Sequence, residues 1–499
     1  MKSISRIITA LLVLAMTLPM IVSCAETGSI EDTTASAMTE APENVAVETT
    51  AEETLYAQSN IPDDLRFDGT TVKLLYWDDV PNLEFFVEDQ TGEAVNDAIY
   101  RRNSKVQEQF GVFLNYVGTP GDNGDMAAYV NVAINSTQAG TDAHDIFCGY
   151  SMTGATLMTK GVTQDLTDYD IMEFDKPWWP KSLISKATIR DGIYFASGDI
   201  STNFIHMMYL VMFNKDMLES VHNLGAEALY DLAYNGEWTL DKFIELTEGV
   251  YVDQDGDNAA SETDRYGVVV TNVHFDPFYA GSGLTTVEVD GDGNLVLSSD
   301  LFSQKTVDLL EKLCNLLHTS GNAYIKTSQP IFAAGNALLI VDRPYIITRT
   351  LTNADFSFGI LPVPKYDTNQ ESYRTCLGFG YTMYMLSTAA NNPEAAAATL
   401  ELMAYQSYLN VTPALFEESM KMRYADQSDD SFMFDLIRDG VEIDVARLFT
   451  TQLEKMSYNI FRNAVNNNAA GSYISQQKAY EKSLNRKISD INEGFNSLG

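Results

Sequence analysis

Strand-like and helix-like stretches alternate from Val72 to Gly149, and this alternation restricts the fold more than any other feature of the chain. Val72-Lys73-Leu74-Leu75-Tyr76-Trp77 reads as a strand, residues 95–109 as a helix stopping before Phe110-Gly111, and Val112-Phe113-Leu114-Asn115-Tyr116-Val117 as a second strand. Residues 126–138 suit another helix, and Asp145-Ile146-Phe147-Cys148-Gly149 a buried strand. Strands buried on both faces need helices above and below them, so the expected class is α/β with a mainly parallel sheet. The strand ends fall at Trp77-Asp78-Asp79 and Gly149-Tyr150-Ser151, and in open α/β sheets ligands sit beyond such carboxyl ends.

A second region begins near Ile200. Met207 to Phe213 is a strongly apolar strand, and Trp238 to Leu246 starts a helix with Thr239 as cap. Ala337 to Val341 is a further buried strand, and Phe356-Ser357-Phe358-Gly359-Ile360 leads into the turn Leu361-Pro362-Val363-Pro364. Asn392-Pro393-Glu394 is a helix start, combining a capping side chain, Pro in the first turn and an acid at the positive end. Ile474, Leu484, Ile488, Ile491 and Phe495 form an apolar stripe expected to dock on the body.

The N-terminus is read separately. Lys2 and Arg6 precede the apolar residues 7–22, the pattern of an export signal. Ile21-Val22-Ser23-Cys24 resembles the cleavage box of bacterial lipoproteins, which makes residues 1–23 the signal and Cys24 the lipidated first residue. A plain secretory signal with an incidental cysteine is the alternative. Residues 25–65 hold no Lys or Arg and few large apolar groups, so 24–65 reads as an acidic disordered spacer. The expected location is the extracellular face of the cell membrane.

About 435 residues remain, enough for two cores. A formal charge of -37 repels phosphate backbones and anionic lipid, which argues against nucleic acid and leaves the lipid anchor as the only membrane contact. Cys148, Cys314 and Cys376 lack metal-ligand spacing and read as core thiols. No G-x-S-x-G, H-E-x-x-H or P-loop motif is present.

Four stretches together resemble the family-1 extracellular solute-binding proteins of bacterial ABC importers, which include maltose-binding protein. They are Gly92-Glu93-Ala94-Val95-Asn96-Asp97-Ala98 with Arg101-Arg102-Asn103; Asp191-Gly192-Ile193-Tyr194 with Phe213-Asn214-Lys215-Asp216; Phe332-Ala333-Ala334-Gly335-Asn336-Ala337; and Phe358-Gly359-Ile360-Leu361-Pro362-Val363-Pro364-Lys365-Tyr366. The resemblance implies a two-lobed periplasmic-binding-protein-like fold with hinge strands. It assigns residues 66–200 plus 336–378 to lobe 1 and 201–335 plus 379–499 to lobe 2. It implies a monomer without catalysis, which captures a sugar or oligosaccharide between the lobes and delivers it to ABC permease subunits. A secreted glycan-active hydrolase and a surface adhesion protein are the competing readings.

A sugar site needs flat aromatic platforms beside short polar groups. Trp77 and Asp78 at the first strand end are one candidate pair, the alternative being a core Trp with a capping Asp. Tyr150 has the same placement, and Asp199 either faces the cleft or caps the crossover. The resemblance puts Asp342-Arg343-Pro344-Tyr345 near the cleft floor, with Tyr345 as platform and Arg343 as donor unless Arg343 pairs with Asp342. It likens Gly378-Phe379-Gly380-Tyr381 to the second hinge passage, adding Phe379 and Tyr381. Trp178, Trp179 and Trp238 read as packing residues.

Asp253, Asp255 and Asp257 stand at positions 1, 3 and 5 of an EF-hand-like loop. Ala259 would offer its carbonyl at position 7 and Asp264 would close the shell at position 12, with Asn258 taking the turn position. A structural calcium is therefore the expected cofactor, against an acidic surface loop, and no organic cofactor is implied. Asp290-Gly291-Asp292-Gly293-Asn294 lacks a closing acid and reads as a hairpin turn.

Overall fold

The computed structural model describes residues 57–140, 143–421 and 427–496. The signal, Cys24 and residues 25–56 of the spacer lie outside the described residues. The main strands, in chain order, are β1 (Thr71–Trp77), β2 (Phe113–Thr119), β3 (Ile146–Tyr150), β4 (Leu210–Asn214), β5 (Tyr266–Val269), β6 (Ala323–Tyr324), β7 (Ala337–Asp342), β8 (Phe358–Leu361) and β9 (Thr382–Leu386).

They form two sheets, one per lobe. The first has the order β9-β3-β1-β2. β1 lies parallel to both neighbours, with Leu75 opposite Val117 and Phe147, while β9 returns antiparallel with Tyr384 opposite Cys148. The second has the order β6-β5-β7-β4-β8. There β4 alone runs against its neighbours, Met212 standing opposite Ile340 and Ile360. The strands β3, β4, β7, β8 and β9 are buried at every position, as their unbroken apolar sequences require.

Sheet membership reverses part of the expected lobe assignment. β7 and β8, within 336–378, pair with β4 in the second lobe, and β9, within 379–499, joins the first. The chain crosses between lobes at Met208, bridged to Leu377, and returns into β9 through that second passage. A buried strand carries no mark of which sheet it will enter, so β7, β8 and β9 were indistinguishable by pattern.

The end of the spacer is also ordered. Ser59 Oγ and the Asn60 N–H donate to Glu173 at 2.8 and 2.9 Å, and Ala57, Ile61 and Leu65 pack against the core. Those apolar groups anchor residues 57–65 despite the acidic composition before them.

The helix Ala94–Phe110 buries Val95, Ile99, Val106 and Phe110 and ends at Gly111, whose φ of 65° is left-handed. Its Arg102 is buried and donates to the carbonyls of Glu84 and Phe85 at 2.8 and 2.9 Å. The Glu84 carboxylate in turn accepts from Tyr384 Oη (2.7 Å), Ser201 Oγ (2.9 Å) and Asn203 Nδ2 (2.8 Å). This buried network ties the β1–helix connection to the start of the first crossing. Asn392 caps the helix Pro393–Gln406 as expected, accepting from the Ala395 N–H at 3.0 Å. The final helix Gln477–Phe495 buries Leu484, Ile488, Ile491 and Phe495, whereas Ile474 precedes it in a tight turn and stays exposed. Cys148, Cys314 and Cys376 are buried free thiols.

Candidate ligand-binding cleft

The carboxyl end of β3 lies near the turn after β7 of the other lobe, where Arg343 acts on Tyr150. On the first-lobe side, Tyr150 ends β3 and sets its ring edge-on against Trp77, 5.2 Å between centroids. Burial pushes the Tyr150 phenol above its ordinary range, while Arg343 and Arg447 pull it down and Asp122 and Tyr458 push it up. Those influences come from both sides, so the Tyr150 hydroxyl lies at the junction of the lobes.

On the second-lobe side, β7 ends in Asp342, which is fully buried. Its Oδ1 accepts from the Arg343 backbone N–H (2.9 Å) and Arg343 Nε (3.2 Å), and its Oδ2 from Gln329 Nε2 (2.9 Å). His274 Nδ1 accepts the Thr271 N–H at 3.0 Å, and its Nε2 lies 3.5 Å from Asp342 Oδ2. Burial alone would raise the Asp342 carboxyl, but His274, Arg343 and Gln329 bring it down to about 2. Burial likewise works against the Arg343 charge, and Tyr209, Asp342 and Tyr345 more than offset it.

The Arg343 guanidinium is held between two rings, 5.1 Å from the centre of Tyr209 and 4.8 Å from that of Tyr345. The Tyr345 hydroxyl accepts from Gln329 Nε2 (2.6 Å) and Arg343 Nη2 (3.3 Å). Both lone pairs are thereby used, and its own hydrogen is left to donate outward. Tyr345 is half-buried, consistent with a platform whose orientation is fixed from behind.

The floor continues through the second passage. Phe379 is half-buried, with Arg447 4.0 Å above its ring and Tyr458 5.5 Å away, and its carbonyl accepts from Ser151 Oγ at 2.6 Å. Arg462 lies 4.1 Å over Tyr458. Asp276 holds both arginines, meeting Arg447 Nη1 at 2.7 Å and Arg462 Nε and Nη2 at 2.6 Å. Burial opposes the Asp276 charge and the two guanidinium groups prevail, lowering its pKa. Tyr458 and Arg462 escaped the sequence reading, although their i, i+4 spacing on the helix Met456–Asn466 sets both on one face.

Three expected ligand groups are corrected. Trp77 is 1% exposed and donates through Nε1 to Thr382 Oγ1 at 2.8 Å, so it packs the core under Tyr150 and offers no open face. Tyr381 is buried, edge-on to Phe204 at 5.5 Å. Asp199 is buried, its carboxylate taken by Arg438 Nη2 (2.8 Å) and Thr412 Oγ1 (3.1 Å). Asp78 remains exposed at the first-lobe rim. Trp178, Trp179 and Trp238 are fully buried, as expected.

Asp253, Asp255 and Asp257 do gather, with carboxylate oxygens within 4.8 Å of one another, and Asn258 takes a φ of 59°. Asp264 is absent from that group. It is buried, and its two oxygens accept the N–H groups of Gln254 (3.0 Å) and Ser261 (2.9 Å), so it braces the loop from inside. The Ala259 N–H donates to Asp257 Oδ1 at 2.7 Å. Asp79, Asp122 and Asp125 gather similarly beside the rim. Either group can hold a divalent cation. The 290–294 segment is the expected hairpin turn, joining strands Val287–Val289 and Leu295–Leu297.

Residues 111–404, more than half of the chain, match the family model described as bacterial extracellular solute-binding protein. The chain belongs to this family. No curated protein matches the sequence. The solute-binding protein is similar in fold to the glycerophosphocholine complex of UgpB from Mycobacterium tuberculosis, with a TM-score of 0.55, 16% identity, and 83% and 98% of the two chains covered. A cyclo/maltodextrin-binding protein complexed with maltotetraose gives 0.54 at 12% identity, covering 86% and 98%. The cyclic alpha-maltosyl-1,6-maltose binding protein from Arthrobacter globiformis gives 0.53 at 15%, covering 85% and 100%. Like them, the solute-binding protein has two α/β lobes whose sheets are flanked by helices. Among the described residues, no helix is long and apolar enough to cross a membrane.

Proposed function

We propose that the protein is the substrate-binding receptor of an ABC importer, anchored outside the cell membrane by lipid on Cys24. It holds a sugar or oligosaccharide between its lobes and releases it chemically unchanged to the permease. Tyr345 is the platform, with Arg343 and the free Tyr345 O–H as donors. Tyr150 faces them from the first lobe, with Phe379 and Tyr458 completing the floor and Asp78 at the rim.

The observation carrying this reading is the bracing of Arg343 and Tyr345 by Asp342 and Gln329, which fixes a donor and a ring face in one place. Such preorganisation is what recognition of a polyhydroxylated ring requires. Titration calorimetry on residues 57–499 with a panel including maltotetraose and glycerophosphocholine tests it. We expect saturable binding of a saccharide without product, and a loss of about tenfold to hundredfold in affinity on Tyr345→Ala. Binding of glycerophosphocholine alone would overturn the sugar assignment. Product release from a saccharide would favour the hydrolase. Loss of membrane retention in Cys24→Ala cells tests the anchor.

For the acidic loop we propose a structural calcium held by Asp253, Asp255 and Asp257. Added calcium should raise Tm in the wild type and leave Asp255→Asn unchanged.

A further inference from the structure

A second groove of about 920 Å³ lies on the other side of the first crossing. Two consecutive residues show the separation. Met207 turns its sulfur to Arg343 Nη1 at 3.8 Å in the cleft, whereas Met208 lines the groove. The walls come from both lobes, with Pro180 and Tyr408 on the first-lobe side and Tyr234 and Tyr373 on the second. Its lining includes the buried Asp199 paired with the partly exposed Arg438, which also lies 5.9 Å from the centre of the Tyr408 ring.

Aromatic surface is exposed at the lip. Tyr234 and Phe432 stack with 4.4 Å between centroids and 29° between planes, and are 43% and 39% exposed. The Tyr234 hydroxyl donates to Asp429 at 2.9 Å, which fixes the ring. A rigid, water-facing aromatic pair leading into a polar cavity is a poor use of surface unless something flat covers it.

The charges of the lining select the occupant. Asp199 is matched by Arg438, Glu442 by Arg374 at 3.1 Å, and Lys181 offsets one of Glu371 and Asp439. Even with Arg374 counted, the lining and the lip acid Asp429 leave two carboxylates unmatched, so an anion is repelled and hydroxyl donors are favoured. Carboxylates, an arginine and ring faces around a cavity of this size match a neutral, ring-bearing polyol.

We propose that this groove is a second saccharide-binding site, taking a neutral oligosaccharide across Tyr234 and Phe432 with Asp199 and Arg438 beneath. Because its walls belong to both lobes, occupancy is linked to the angle between them.

The test uses saturation-transfer NMR and calorimetry with maltotetraose, cellotetraose and xylotetraose on the Tyr345→Ala protein, whose cleft is weakened, so that the groove variants decide where the remaining ligand sits. At least one tetraose should still bind. Adding Tyr234→Ala and Phe432→Ala should weaken that binding at least tenfold, and so should adding Ser372→Trp, which fills the groove from an exposed position and covers the case that loss of the aromatic pair unfolds the helix beneath. Absence of any binding to Tyr345→Ala overturns the proposal, as does affinity within twofold in both groove variants. Failure of the cleft reading shows differently, as wild-type and Tyr345→Ala affinities that are equal.

Discussion

Asp342 in the second lobe and Glu401 in the first are both carboxylates without exposed surface, yet burial leaves them in opposite states. Asp342 meets His274, Arg343 and Gln329 and is held down to about 2. Glu401 meets neutral donors, accepting from Trp178 Nε1 (2.7 Å), Trp179 Nε1 (2.9 Å) and the Glu173 N–H (3.2 Å). Burial pushes it up to about 7 even against those three bonds. Dipoles aimed at a carboxylate therefore do not replace a cation here. The contrast follows position: beside the cleft a fixed charge orients Arg343, whereas beneath Trp178 and Trp179 the carboxyl ties two indoles to the helix Pro393–Gln406.

The largest effect should come from removing the charge at Asp342. Asp342→Asn leaves Arg343, whose side chain is 18% exposed, without its ionic partner. Breaking a buried pair at one end costs about 3–5 kcal/mol, so Tm should fall and cleft affinity should fall with it. If Tm moves no more for Asp342→Asn than for an exposed carboxylate such as Asp78→Asn, the contrast between the two carboxylates is wrong. A related acid limb is expected. Asp342 has its pKa lowered on folding, so its contribution is complete above the ordinary 3.8 and is lost as pH falls through about 2.

How much of this was visible in the sequence differs by residue. β1, β2 and β3 were legible because period and length are local properties. Tyr345 and Arg343 enter the reading through the turn after an apolar strand, which the resemblance places near the cleft. Trp77 was misjudged because a strand-end position does not say which face of the sheet the last side chain takes. Here Trp77 points to Thr382, over 300 residues away in the chain. Asp199 was misjudged for a similar reason, since Arg438 arrives from the helix Gln427–Asp439. Tyr458 and Arg462 were legible in principle as a spaced pair, but their arrangement depends on Phe379 and Asp276 meeting them.

Glu401 supplies the next effect, with the opposite sign. Its folded pKa of about 7 lies above the ordinary 4.5. Between those values the folded protein binds more protons than the unfolded chain, so stability falls as pH rises. The full difference is on the order of 3 kcal/mol, present below 4.5 and lost above 7. Denaturation midpoints from pH 4.5 to 7.5 should decline in the wild type and stay flat in Glu401→Gln. Tryptophan fluorescence should titrate in step, because Trp178 and Trp179 both donate to this carboxylate. A variant that keeps the wild-type slope would assign the titration to another group.

Asp199 is the intermediate case and should give the smallest change. It has a cationic partner, as Asp342 has, but Arg438 is 28% exposed. Burial raises the Asp199 pKa even though Arg438 and Thr412 pull it down, so one partly hydrated arginine does not outweigh desolvation. In Asp199→Asn the amide oxygen still accepts from Thr412 or Arg438, and water reaches the guanidinium that the carboxylate releases. The loss should therefore be about 1 kcal/mol, the scale of a partly screened pair and one hydrogen bond. Urea denaturation at neutral pH measures it. A loss as large as that of Asp342→Asn would mean that exposure of the cation does not set the strength of these pairs, and the difference between the cleft wall and the hinge flank would need another cause.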